Sequence, residues 1–230
     1  EDSCNQPVQI RDAIGASHIA GWYNFTQKPY LLEGIDKFKE WGSRNIKTTI
    51  SPYNGKMFSA YHFNHSWPNF NKLVDVVKHP FVDSLFGDPY FTTHAFWAPP
   101  KNNKGFYKDG PDFNHHLFQE EENQIYAAAK YILEEYGDME KRFIFQNWEG
   151  DWMLRGNNRQ WEANPSSVPD DIEWQIEGMA RMWRARMRGI ERAVAEFPNA
   201  KAKIQYSVEF NKLFRRSEER RVGKECRSRW

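Results

Sequence analysis

The sequence predicts an α/β protein, a (β/α)8 TIM barrel truncated after about five strand–helix units. Three observations predict it. Short β-rich segments alternate with helical ones from residue 18 to residue 210, and such alternation builds a parallel sheet. Neither Gly-x-Gly-x-x-Gly nor Gly-x-x-x-x-Gly-Lys-Ser/Thr occurs, which counts against the nucleotide-binding forms of an open sheet. The expected strand ends carry polar and aromatic side chains, namely Asn24, Thr26, Trp97, Asn147, Glu149, Glu209 and Asn211. In a barrel, the C-terminal ends of the strands build the active site.

Each element has its own signal. Residues 18–25 are aromatic-rich and read as a first strand. Leu31, Leu32, Ile35 and Phe38 fall at helical spacing over 31–41, and Gly42 can end that helix. Residues 45–50 are short and β-branched, so they predict the second strand. Phe70, Leu73, Val74 and Val77 predict a second helix stopped at Pro80. Residues 90–97 predict the third strand, and a long polar loop follows over 98–119. Loops of that length inside a domain tend to be functional or disordered. Ile125, Ala128, Ala129, Ile132 and Leu133 mark the inward side of a helix over 120–136. Residues 142–148 and 203–210 predict the fourth and fifth strands, with a long helix over 170–196 between them.

Composition narrows the class. The chain of 230 residues is 40% hydrophobic and 27% charged, as in ordinary globular domains. No stretch approaches the run of about 20 apolar residues that a membrane span needs. The chain has 10 Trp, 10 Tyr and 17 Phe. These rings can fill a large core or line a cleft against the apolar faces of sugars. Cys4 and Cys226 make neither a disulfide framework nor a zinc site. The domain plan is an N-terminal segment over 1–17, a partial barrel over 18–215 and a foreign tail over 216–230. That tail has six Lys/Arg against three Glu and no helical or strand period. It resembles a translated sequencing-library adapter along its length, and such scars are set aside in fold reasoning. The expected location is secreted or periplasmic, with the signal peptide already removed.

The chemistry concentrates at the fourth strand. Apolar residues 143–145 run directly into Gln146-Asn147-Trp148-Glu149-Gly150-Asp151-Trp152. Side chains alternate along a strand, so Asn147 and Glu149 can share a side. A carboxyl group walled by Trp148 and Trp152 is partly desolvated, which raises its pKa and lets it act as an acid near neutral pH. Glycoside hydrolysis needs such an acid to protonate the leaving oxygen, and a second carboxylate as nucleophile or base. Glu149 is therefore the candidate catalytic acid, with capping of the next turn as its structural alternative. Asp151 is the weaker candidate for the same work.

Residues 21–211 resemble glycoside-hydrolase (β/α)8 barrels of the large clan with the acid/base after strand 4 and the nucleophile after strand 7. Leu32-Glu33-Gly34, Gly42-Ser43-Arg44-Asn45-Ile46-Lys47, the 146–152 motif and Val208-Glu209-Phe210-Asn211 read like one uncharacterised bacterial and fungal group of such barrels. The resemblance implies Glu149 as general acid/base, with Asn147 beside it touching a sugar hydroxyl. Trp148 stands between the two, where the clan has Asn directly before Glu. Glu209 follows the fifth strand, so it does not match the nucleophile.

The candidate substrate-binding residues are Asn147, Trp148, Trp152, Trp97, His94, Glu209 and Asn211. The expected partner is a carbohydrate substrate, with no cofactor, metal, nucleic acid, membrane or obligate protein partner, and the fragment alone is expected to be inactive. Two other readings stand beside the glycosidase, a non-catalytic carbohydrate-binding barrel and a metal-dependent barrel hydrolase. His18, His94, His115 and His116 raise the metal reading, but neither His-x-His nor His-Glu-x-x-His spacing occurs. The basic stretch 181–188 is read as the solvated face of a helix, with Ile176, Met179, Ala180, Trp183 and Met187 on the apolar side.

Overall fold

A computed structural model describes residues 9–18, 25–52, 70–100, 114–147 and 171–209. In chain order the elements are α1 (Ile10–Ala13), β1 (Gly15–His18), α2 (Tyr30–Glu40), β2 (Asn45–Thr49), α3 (Leu73–Val77), α4 (Pro80–Gly87), β3 (Thr93–Trp97), α5 (His115–Tyr136), β4 (Arg142–Gln146), α6 (Ile172–Glu196) and β5 (Lys203–Ser207). The strands form one sheet in the order β1-β2-β3-β4-β5, and every pairing is parallel. The α/β class and the parallel sheet expected from the sequence are present.

The register sorts the side chains into two faces. Ile46, His94, Phe143 and Ile204 lie side by side, followed by Thr48, Phe96, Phe145 and Tyr206. This face meets the helices. Its apolar residues join Leu31 and Ile35 of α2, Val76 of α3, Phe86 of α4, Ile125 and Ala129 of α5, and Ile190 of α6 in one buried core. The far face carries Ser17, Lys47, Ala95, Ile144 and Gln205, followed by Thr49, Trp97, Gln146 and Ser207. Right-handed crossovers between strands laid down in sequence order put the connecting helices on one side of the sheet. A doubly wound sheet reverses its order to cover both sides, and this sheet does not reverse.

Several boundaries differ from expectation, each for a local reason. The first strand is described at Gly15–His18, and residues 19–24 of the expected 18–25 segment lie outside the described residues. Ser43 Oγ donates to the carbonyls of Ile14 (3.2 Å) and Asn45 (2.9 Å), joining the entrances of β1 and β2. Pro80 does not merely stop a helix. It opens α4 at the first helical position, where its missing N–H costs nothing, and His79 Nδ1 caps it by accepting from the Phe81 amide at 3.2 Å. The expected loop over 98–119 ends early, because Asn114 Oδ1 accepts from the His116 amide at 3.1 Å and starts α5 at His115. Asp88 turns the chain before β3 by accepting from the Tyr90 amide at 2.9 Å, so that strand starts at Thr93 rather than Tyr90. Gly42 ends α2 as expected, at φ 78°, a conformation that costs other residues dearly.

The largest correction concerns α6. Its buried side is Gly178, Met179, Met182, Ala185, Arg186, Gly189, Ile190 and Ala193. Ile176 and Met187, expected inward, are exposed, and Arg186 from the basic stretch is fully buried. Gly189 lets α6 approach α5 closely: a Cβ there would stand 2.6 Å from the Glu122 carbonyl oxygen. At the entrances to the strands, buried Lys141 donates to the carbonyls of Phe86 (2.5 Å) and Asp88 (2.6 Å), and burial holds its pKa down at about 8.

Candidate functional site at the strand ends

The C-terminal ends of β2 to β5 place Thr49, Trp97, Gln146 and Ser207 in one row on the far face. Backbone pairing continues just beyond the strands. The Ile50 amide donates to the Trp97 carbonyl at 2.8 Å, and the Ala98 amide donates to the Gln146 carbonyl at 3.1 Å. Trp97 is almost wholly buried in this row. Thr49 Oγ1 and Gln146 Oε1 are buried without a hydrogen-bond partner among the described residues.

Glu209, two residues past β5, continues the same face. Its Oε2 pairs with Lys47 Nζ of β2 at 3.3 Å, and both side chains are partly exposed. Strands β3 and β4 lie between these two residues. On a flat sheet three strand spacings span about 14 Å. A sheet coiled around its far face brings the two side chains together more easily.

Asn147 directly follows β4 with the parity of the helix side, and is 2% exposed. Tyr206 Oη donates to its Oδ1 at 3.3 Å. Burial pushes the Tyr206 hydroxyl up to about 12, although Arg186 pulls the other way. The Arg186 guanidinium stands 5.9 Å from the Tyr206 ring centre. It donates from Nε (2.7 Å) and Nη2 (2.6 Å) to Glu121 Oε1, and from Nη2 to the Ala98 carbonyl at 2.5 Å. Burial opposes the charge on Arg186, but Glu121 and Tyr206 outweigh it and hold the guanidinium protonated. Glu121, Arg186, Tyr206 and Lys47 are not among the site residues expected from the sequence, although Lys47 falls in the 42–47 motif and Arg186 in the basic stretch. The spacing 179, 182, 186, 189, 193 does mark the buried stripe of α6, and it would have placed Arg186 inward.

His94 lies on the helix side of β3, fully buried. Its ring stacks on Phe143 at 5.1 Å and meets Phe86 edge-on at 5.2 Å. Neither nitrogen has a hydrogen-bond partner among the described residues. Burial holds its pKa well below the ordinary value of 6.5. His18 lies under α2 and donates from Nε2 to the Tyr30 carbonyl at 3.0 Å, while His115 and His116 open α5. Among the described residues no three His, Cys, Asp or Glu side chains gather as a metal site, and no helix is long and apolar enough to cross a membrane.

The structure thus brings Trp97, Asn147 and Glu209 to one end of the sheet and leaves His94 within the core. Trp148, Glu149, Asp151, Trp152 and Asn211 lie outside the described residues, as do both cysteines and residues 216–230. No protein-family model, curated protein or solved structure matches the chain.

Proposed function

We propose that this chain is part of a secreted or periplasmic (β/α)8 barrel that hydrolyses O-glycosidic bonds in a polysaccharide or glycan, with Glu149 as general acid/base. The observation that carries the reading is the row of strand ends. Trp97, Gln146 and the Lys47–Glu209 pair share the far face, and β4 ends three residues before Glu149. The single-sided winding of the sheet supports a barrel, because its far face then needs cover from the sheet's own curvature. Lys47, Gln146 and Glu209 offer polar groups to the hydroxyls of a sugar, and the buried ring of Trp97 backs them. Glu149 protonates the leaving oxygen, and a second carboxylate acts as nucleophile or base.

The Lys47–Glu209 pair also favours a second reading. Glu209 is engaged with an ammonium group at 3.3 Å, an arrangement equally suited to a barrel that binds carbohydrate without cleaving it. Glu149→Gln in the full-length gene product separates the two. Loss of a positioned general acid lowers kcat by about 10²- to 10⁴-fold, while oligosaccharide binding survives. Hydrolysis of every tested sugar at the native rate in this variant would remove Glu149 from the mechanism. Binding with no hydrolysis by the wild type would select the second reading.

A further inference from the structure

We infer that Glu121, Arg186 and Tyr206 are positioning residues that lock the Asn147 amide at the exit of β4. The inference deepens the glycosidase reading, since that exit leads to Glu149.

The starting point is an unusual placement. Among the described residues Arg186 is the largest fully buried side chain, at 1% exposure, and its partner Glu121 is 4% exposed. Removing both charges from water is costly, and a pair of apolar side chains in the same space is often at least as stable. Stability alone therefore does not account for the pair. Its connections point elsewhere. Arg186 holds the carbonyl of Ala98, just past the end of β3, and faces the ring of Tyr206 on β5. Tyr206 in turn donates to Asn147 Oδ1. The chain of contacts runs from two helices to the ends of three neighbouring strands, all at the end of the sheet where Trp97 and Glu209 lie.

The Tyr206 bond also sets the orientation of the amide. With Oδ1 accepting from a hydroxyl, Nδ2 is left as the donor. Nδ2 is buried and has no hydrogen-bond partner among the described residues, and the same holds for Nη1 of Arg186. The network thus presents an oriented donor at the exit of β4. A lysine in place of Arg186 keeps the charge but loses the planar fork that reaches Glu121 and Ala98 together.

The test uses the full-length gene product labelled with 15N-asparagine, the Asn147 amide pair being identified by its loss in Asn147→Asp. In the wild type this pair exchanges slowly with solvent. Tyr206→Phe, Arg186→Lys and the double variant Glu121→Met/Arg186→Met speed that exchange at least about tenfold, the factor that one hydrogen bond of ordinary strength provides. The double variant does so with its Tm unchanged or raised. An Asn147 pair with wild-type shifts and exchange in a double variant of wild-type Tm overturns the inference. Should the double variant fail to fold, Tyr206→Phe, which deletes a single oxygen, decides in the same way. The glycosidase reading fails separately, if the wild type cleaves no glycoside while the amide signals still respond as described.

Discussion

His94 shows how a single residue carries a polar group into an apolar core. Its ring fills the space between Phe86, Phe91 and Phe143, and its nitrogens find no hydrogen-bond partner among the described residues. Only the neutral ring is tolerated, so the folded state resists protonation well below 6.5. The unfolded chain takes up that proton near its ordinary value. Below about pH 6.5 the unfolded state then binds more protons than the folded one, and this residue's share of stability is lost by about 1.4 kcal/mol per pH unit until the folded pKa is reached. His94→Phe keeps a flat ring and removes the titration. The expected outcome is equal or greater stability at pH 7 and a flatter acid limb in urea unfolding. Parallel acid limbs in the two proteins would show that His94 is not the sensing group. The strand position of His94 was legible in the sequence. Its side of the sheet was not, because alternation states which residues share a face but not which face meets the helices.

At the scale of elements, the α5–α6 pair is the most demanding contact. Gly189 lies where a Cβ would press to 2.6 Å on the Glu122 carbonyl oxygen and 3.0 Å on the Tyr126 amide nitrogen. Intrinsic helix propensity alone favours alanine over glycine by about 1 kcal/mol. Overpacking of a tight contact costs about 1–3 kcal/mol, and here the obstacle is backbone, which cannot swing aside. Gly189→Ala is therefore expected to be destabilising, against propensity, and chemical denaturation measures the sign. A more stable variant would mean that the helices separate freely. Arg188 Nε of the basic stretch and Arg192 Nη1 beyond it each reach Glu122 at 2.8 Å beside this contact, whereas Arg181 and Arg184 pair with Glu177 of their own helix. Sequence periodicity located both helices, but it misjudged the rotation of α6 about its axis. Ile176, Met187 and Val194 are exposed and resemble a core stripe as closely as the true one does. The choice between two apolar stripes belongs to the neighbouring helix.

At the scale of the whole molecule, the described sheet has two edges, β1 and β5, each paired on one side. Parallel edges with free backbone groups template association with other chains. The 230-residue chain is accordingly expected to self-associate, in a concentration-dependent way, when expressed by itself. Size-exclusion chromatography with light scattering checks this, and a monodisperse monomer with a cooperative melt would contradict it. The sequence by itself determined the α/β class, the order of five strands and the helices between them, because local periodicity and turn chemistry act within one element. It also singled out the strand ends after β3, β4 and β5 as the candidate site. Tertiary structure alone decided the unreversed spatial order of the strands, the burial of Arg186 against Glu121, the link from Tyr206 to Asn147 and the pairing of Lys47 with Glu209. Each of these joins residues distant along the chain, and such contacts exist only once the strands have taken their places in the sheet.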